Sequence, residues 1–291
     1  MTSLADRLAA LSPAQRALLK QRLQQAPAAG GSTRIPRRPR GDGIYPLSSA
    51  QERMWFNHQW EPDSPLYTEG IVVQIDGALD AGTLQHALDA VVQRHDILRT
   101  VFGERDGKQV QIVADTLPVP ITVLDWRHLS AGALDTDVQR LLATEADWLF
   151  DLTKGPLLRL TLIRETDLRH KLVFIVHHII FDGWSAGVFF QELFDFYSAS
   201  AAQRRADLPD VPVQYADYAV WQRERLDGGM LADELAYWRR QLADLPPALD
   251  LPTDRPRLPV RSAAGARHFF TVDPTVTQGM RDLCQRYDVT P

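Results

Sequence analysis

Among 291 residues there is a single cysteine, Cys284. A lone thiol excludes an intramolecular disulfide and any multi-cysteine zinc or iron–sulfur site, and it fits a reducing, cytoplasmic compartment. Long apolar runs are also missing: no stretch approaches the roughly 18 hydrophobic residues of a membrane span. The opening MTSLADRLAALSPAQRALLKQRL carries polar and charged residues throughout, which breaks up a signal-peptide core. No membrane partner is therefore expected, and no nucleic-acid partner either, because 32 Lys+Arg are outnumbered by 37 Asp+Glu, for a net charge of -5. HExxH, P-loop, GxSxG, paired CxxC and GxGxxG signatures are absent, which removes the ready metalloprotease, nucleotide-binding and serine-hydrolase readings. What remains is a globular composition with 45% hydrophobic residues, 17 Gly and 19 Pro, long enough for an enzyme.

Periodicity then places the elements. Ser12, Pro13 and Gln15 supply a cap, a first-turn proline and a capping-box partner, so Ser12–Leu23 reads as a helix. Ala26–Gly43 is rich in Pro, Gly and Arg without apolar period and reads as a solvated linker, although Arg34, Arg37, Arg38 and Arg40 could meet an acidic partner. A second helix is expected from Ser48, with Gln51 as its capping-box partner. Ile71, Val73 and Ile75 alternate as on a strand, and Leu84, Leu88 and Val91 share one face of the following helix. Val110 with Ile112, and Leu158 with Leu160 and Leu162, mark two more strands; a helix from near Asp135 through Leu141 and Leu142 to Trp148 lies between them. The five apolar residues after Lys171 predict a central strand covered on both faces. Ala186–Tyr197, Tyr215–Arg225 and Leu231–Leu242 read as helices, then a proline-rich crossover, a strand over His268, Phe269, Phe270 and Val272, and a helix over Val276–Tyr287.

The chemistry concentrates where the central strand ends, in HHIIFDGWS. Histidine transfers protons near neutral pH, and a nearby carboxylate can fix its tautomer. By spacing alone, His177, His178 and Asp182 are compatible with acid–base catalysis, structural hydrogen bonding or metal binding. Adjacent strand residues point to opposite faces, so only one histidine is expected in a reaction cavity. Gly183 allows either a tight turn or close approach of a ligand. Asp182 can orient His178 or neutralise a buried arginine. QYADYAVWQ could wall a ligand, but packing through Tyr218 and Trp221 is the simpler expectation.

Four ordered segments carry a family resemblance. YPLSSAQERMWF (Tyr45–Phe56), RHDILRTVF (Arg94–Phe102), HHIIFDGWS (His177–Ser185) and YADYAVWQ (Tyr215–Gln222) resemble, in order, motifs of the condensation domains of nonribosomal peptide synthetases. The resemblance implies an α/β fold, an α+β sandwich in which a chloramphenicol-acetyltransferase-like lobe has a mixed sheet with packed helices, and here a largely missing second lobe. It divides the chain into a linker or docking helix (1–25), a Pro/Gly/Arg-rich linker (26–43), a first lobe (44–245), and a crossover with the truncated start of a second lobe (246–291). The implied reaction joins a donor aminoacyl or peptidyl thioester, held on the phosphopantetheine of an upstream carrier protein, to the amine of an aminoacyl thioester on a downstream carrier, forming a peptide bond in nonribosomal peptide synthesis. The domain itself would bind no cofactor or metal, and its partners would be those carriers and adenylation-domain-containing synthetase modules. His178 matches the catalytic histidine, as base or positioning group. His177, Asp182, Gly183 and Arg94 match supporting positions, with Asp182 expected to pair with Arg94 or, alternatively, Arg99. Trp184 and Ser185 are expected to shape the loop, and the motif forms resemble the subtype joining an L-configured donor to an L-configured acceptor. Another acyltransferase of this fold and a nonenzymatic carrier-docking module are the competing readings.

Overall fold

A computed structural model describes residues 34–38, 41–246, 252–254 and 270–290. The expected helix over Ser12–Leu23, and His268 and Phe269 of the expected last strand, lie outside the described residues. The chain divides into one unit ending at Asp244 and another beginning at Leu245.

The first unit is built on a four-stranded mixed sheet, in which β2 (Thr68–Asp76), β7 (Arg169–His177), β6 (Leu158–Arg164) and β5 (Ile121–Asp125) lie side by side. Only β5 and β6 run parallel; β7 is antiparallel to both neighbours. Alternation on β6 was expected from Leu158, Leu160 and Leu162, which are buried, but Thr161 and Ile163 on the other face are buried as well. β7 is likewise covered on both sides from Leu172 to His177, as its unbroken apolar run predicts. Edge strand β2 keeps the half-buried pattern: Ile71, Val73 and Ile75 pack on the core while Val72 and Gln74 face outward.

Helices cover the sheet. α2 (Ala81–Arg94), capped by Asp80, buries Leu84, Leu88 and Val91, the stripe its 3.6-residue period predicts. α3 (Ala131–Ala146) starts earlier than expected and stops before Trp148. α4 (Gly183–Ala201) follows β7 and buries Phe189 and Leu193 against the core. Phe189 stands 4.7 Å, centroid to centroid, from Phe174. A second, three-stranded antiparallel sheet orders β1 (Ile44–Pro46), β4 (Lys108–Val113) and β3 (Thr100–Arg105). β1 and β3 had no clear period: β1 is only three residues long, and β3 lies within the second motif.

Two further helices join the motifs. α1 (Ser49–Trp60) opens with the expected capping box, Ser48 with Gln51. α5 (Tyr215–Arg225) packs through buried Ala216, Asp217 and Ala219, with Tyr218 and Trp221 at the margin rather than in the core. It clamps the opening motif: Tyr215 Oη lies 2.9 Å from Ser48 Oγ, and Gln222 accepts the Ser49 N–H. Arg38 of the linker is held here too. Asp217 accepts the Arg38 N–H, and the Arg38 guanidinium reaches Glu224 at 2.5 Å, an ion pair within the chain that stays partly exposed to solvent. A π-type turn over Leu226–Met230, with Gly229 at φ 98°, leads to α6 (Leu231–Gln241).

In the second unit α7 (Pro274–Tyr287) matches the expected helix, with proline in its first turn and Asp273 as cap. Phe270 and Val272 are not in a strand.

Candidate active site at the end of the central strand

β7 ends inside the molecule, and the chain turns immediately into a 3-10 turn, His178–Ile180. His177 is 5% exposed, its N–H bonded to Leu157 O. Its Nδ1 accepts the Ile179 N–H at 3.1 Å, which caps the turn. Phe150, Tyr67 and His58 surround the ring at about 6 Å centroid separations. Burial first, then the neighbouring His58 and His178, lowers its pKa to about 3. The ring is neutral at working pH and holds the turn.

His178 is displayed differently. Its N–H donates to Tyr67 O at 2.8 Å, continuing the β2–β7 pairing one step past Thr68 opposite His177. Its ring lies parallel to Tyr67 (3° between planes, centroids 6.5 Å apart). The side chain is 32% exposed, so of the two histidines only this one reaches solvent. His178 Nδ1 is itself shielded, and Glu69 Oε1 lies 2.9 Å away, out of line for a completed hydrogen bond. With Nδ1 covered, the open edge of the ring is the one carrying Nε2.

The loop beyond departs from expectation. Asp182 pairs with neither Arg94 nor Arg99; it is the N-cap of α4, accepting the Ser185 N–H at 2.8 Å and the Ser185 hydroxyl at 2.6 Å. These bonds hold its carboxyl below the usual range. A cap carboxylate faces its own helix amides, and that geometry turns it away from the core. Both arginines are engaged elsewhere. Arg94 binds Glu192 of α4 and Pro209 O, and His95 Nε2 lies 2.6 Å from the same Glu192. Arg99 binds Asp96, Ala114 O and Gln93 O. Ser185 shapes the loop through the cap, whereas Trp184 is 85% exposed and contributes an indole to the surface rather than packing in the loop.

Trp184 borders an apolar cavity of about 140 Å³ with His95, Ile97, Ile180, Phe181 and Val188. A second cavity of about 160 Å³ lies against His177, between His58, Trp60 and Tyr67. Among the described residues no cluster of three or more His, Cys, Asp or Glu could hold a metal, and no helix is long and apolar enough to cross a membrane.

Gly183 separates the two explanations offered for it. It is the first residue of α4, has no positive φ, and a Cβ built there meets nothing within 4 Å. The backbone does not need glycine, so Gly183→Ala should leave stability unchanged or raise it by about 0.5–1 kcal/mol. A loss of turnover with an unchanged melting temperature would assign the open space to a ligand.

The neutral histidines set a pH dependence. The pKa values of His177, His58 and His170 are all lowered, in each case chiefly by burial. Below the unfolded value of about 6.5 the unfolded chain binds protons that the folded chain refuses, so stability falls as pH falls. The His177 contribution is complete above that value and is lost progressively down toward pH 3. By pH 4.5, two units below the unfolded value, the loss should amount to about 2–3 kcal/mol. Urea midpoints at pH 7 and 4.5 would show the loss, and His177→Asn should flatten it.

Sequence reasoning missed Glu69, Tyr67 and Glu192. For Glu69 a signal was present: it shares the odd-numbered face of β2 with Ile71, Val73 and Ile75, and a carboxylate in an inward row calls for a partner.

Comparison with known proteins agrees with this architecture. The condensation-domain family profile matches residues 42–291. Phosphinothricin tripeptide synthetase PhsC of Streptomyces viridochromogenes is 43% identical over 291 residues, all of this chain and 27% of PhsC. Chondramide synthase cmdD of Chondromyces crocatus is 39% identical over 247 residues, 85% of this chain and 6% of the synthase. Among solved structures, the X-domain in complex with OxyB from teicoplanin biosynthesis superposes with a TM-score of 0.68 at 30% identity, covering 78% of this chain and 49% of the matched one. A variant of the starter condensation domain of rhizomide synthetase RzmA gives 0.63 at 26% identity, covering 70% and 49%. The chain thus spans about half of these solved chains and a smaller share of the synthetases. With the family profile matching residues 42–291, and the histidine-bearing turn at the end of the central strand, this chain belongs to the condensation-domain family.

Proposed function

We propose that this chain contributes the catalytic lobe of a peptide-bond-forming acyltransferase. The observation that carries the reading is His178: a half-exposed imidazole fixed by its backbone to Tyr67 at the end of a rigid buried strand, with Nε2 on the open side. The amine of an acceptor aminoacyl group attacks the carbonyl carbon of a donor thioester; the C–N bond forms, the C–S bond breaks, and sulfur leaves as a thiol. One proton moves from the attacking nitrogen to the departing sulfur. His178 Nε2, as a lone-pair acceptor, takes that proton or holds the N–H while the tetrahedral intermediate forms. A thioester is already activated and an α-amino group has a reference pKa near 8, so orientation supplies much of the acceleration. Asp182 and Ser185 hold the start of α4, Gly183 leaves space before it, and His177 braces the turn. Arg94 supports the site at one remove, by anchoring the second motif to Glu192 of α4.

The donor and acceptor are proposed to be carried on partner carrier proteins, as the family resemblance implies, within a larger protein of the kind that a tripeptide synthetase among the relatives represents. The test incubates the full chain with a loaded donor carrier and a loaded acceptor carrier and weighs the acceptor by intact-protein mass spectrometry. A mass gain equal to the donor acyl group supports the reading. Absence of a gain with the folded chain and competent carriers counts against it, in favour of a docking role. That second reading has its own support in the X-domain, a relative of this fold captured in complex with OxyB.

A further inference from the structure

The two adjacent histidines carry opposite Nδ1 environments. His177 Nδ1 receives a backbone N–H, so its own proton is on Nε2. His178 Nδ1 is buried, receives no donor among the described residues, and has the Glu69 carboxylate 2.9 Å away. A shielded ring nitrogen with a lone pair against a carboxylate would be repelled, and a buried polar atom left unpaired is costly. A proton on Nδ1 removes both penalties.

We infer that Glu69 is a positioning residue that holds His178 in the Nδ1–H tautomer, so that Nε2 presents its lone pair to the acceptor amine. The inference deepens the proposed function and rests on it for its catalytic consequence, but the tautomer itself is a property of the resting chain. β2 delivers the carboxylate because Glu69 pairs with Val176, and two residues further along the antiparallel ladder Tyr67 comes opposite His178. Tyr67 and Glu69 therefore lie on the same face of the strand as His178, one stacking on its ring and one meeting its Nδ1. Asp182, which the motif spacing offered for this task, is occupied by Ser185. For this bond the Glu69 carboxylate must turn into line with the Nδ1–H, and its side chain is partly exposed rather than locked by burial.

The test is ring nitrogen NMR on the full chain labelled with 15N-histidine, with His178 assigned by its loss in His178→Ala. Wild type is expected to show a protonated Nδ1 and an unprotonated Nε2 for His178, and the reverse for His177. Glu69→Leu should shift His178 toward the Nε2–H form that predominates in free imidazole side chains, and lower kcat by roughly 10- to 100-fold at unchanged KM. Glu69→Gln, whose amide oxygen still accepts, should retain the Nδ1–H form and most of the rate. An unaltered His178 pattern in Glu69→Leu overturns the inference, as does a shifted tautomer with wild-type kcat. If wild type shows no transfer while the tautomer responds as described, the catalytic reading fails and the pairing stands, so the two failures are distinguishable.

Discussion

His178→Ala is expected to reduce acyl transfer by about 100- to 10,000-fold, the range lost when a positioned proton-transfer group is removed, while the chain remains folded. Its side chain makes no hydrogen bond that the fold requires: the ring stacks on Tyr67 and meets Glu69, and the strand ladder is carried by its backbone N–H. The melting temperature should therefore move only slightly, with a stability change within about 1 kcal/mol. His177→Ala should behave in the opposite sense. It removes the acceptor for a buried Ile179 N–H and opens a hole between Phe150 and His58, costing about 1–3 kcal/mol, with turnover falling in step with the folded fraction. Parallel melts and intact-protein mass spectra of the two variants would separate the roles, and wild-type transfer by His178→Ala would remove the histidine from the mechanism.

The largest stability effect is expected at Arg99, which is 1% exposed. Its guanidinium binds the Asp96 carboxylate and the carbonyls of Ala114 and Gln93, and its own carbonyl accepts the Ala114 N–H, so one residue closes the second motif onto the end of β4. Arg99→Met keeps most of the volume but takes the guanidinium away from the Asp96 carboxylate and from two carbonyls. Breaking a buried ion pair from one side costs about 3–5 kcal/mol, a large share of the 5–15 kcal/mol typical of a domain. The urea midpoint should fall accordingly at unchanged slope. Pairing the change with Asp96→Asn should recover part of the loss, because a neutral amide needs the guanidinium's charge less than a carboxylate does. A wild-type midpoint in Arg99→Met would show that the pair contributes nothing.

The four motifs acquire a physical meaning from these contacts. Ser48 and Ser49 of the first meet Tyr215 and Gln222 of the fourth, and Gln214 just before the fourth bridges the Arg94 carbonyl and the Asp96 N–H of the second. The second reaches α4 through Glu192, and Gln51 of the first approaches Ile179 O of the third. These motif residues therefore build the frame that surrounds His178.

Local information in the chain determined the amphipathic helices, the buried run of β7, the capping box of α1 and the position of His178 at a strand end, because each follows from periodicity or from residues within a few positions of one another. It also determined that His177 and His178 would part company, since successive strand residues face opposite ways. Short β1 and the motif-embedded β3 were illegible because their pairing with β4 is set by distant chain, not by a pattern of their own. The partners of Asp182, Arg94 and Arg99 were decided only in three dimensions. Charge complementarity in one dimension allows any acid to meet any arginine, whereas the folded chain assigns Asp182 to its own helix, Arg94 to Glu192 and Arg99 to Asp96 by distance and direction. Glu69 comes to His178 for the same reason: the two are more than a hundred residues apart in sequence, and only the antiparallel register of β2 and β7 makes them neighbours.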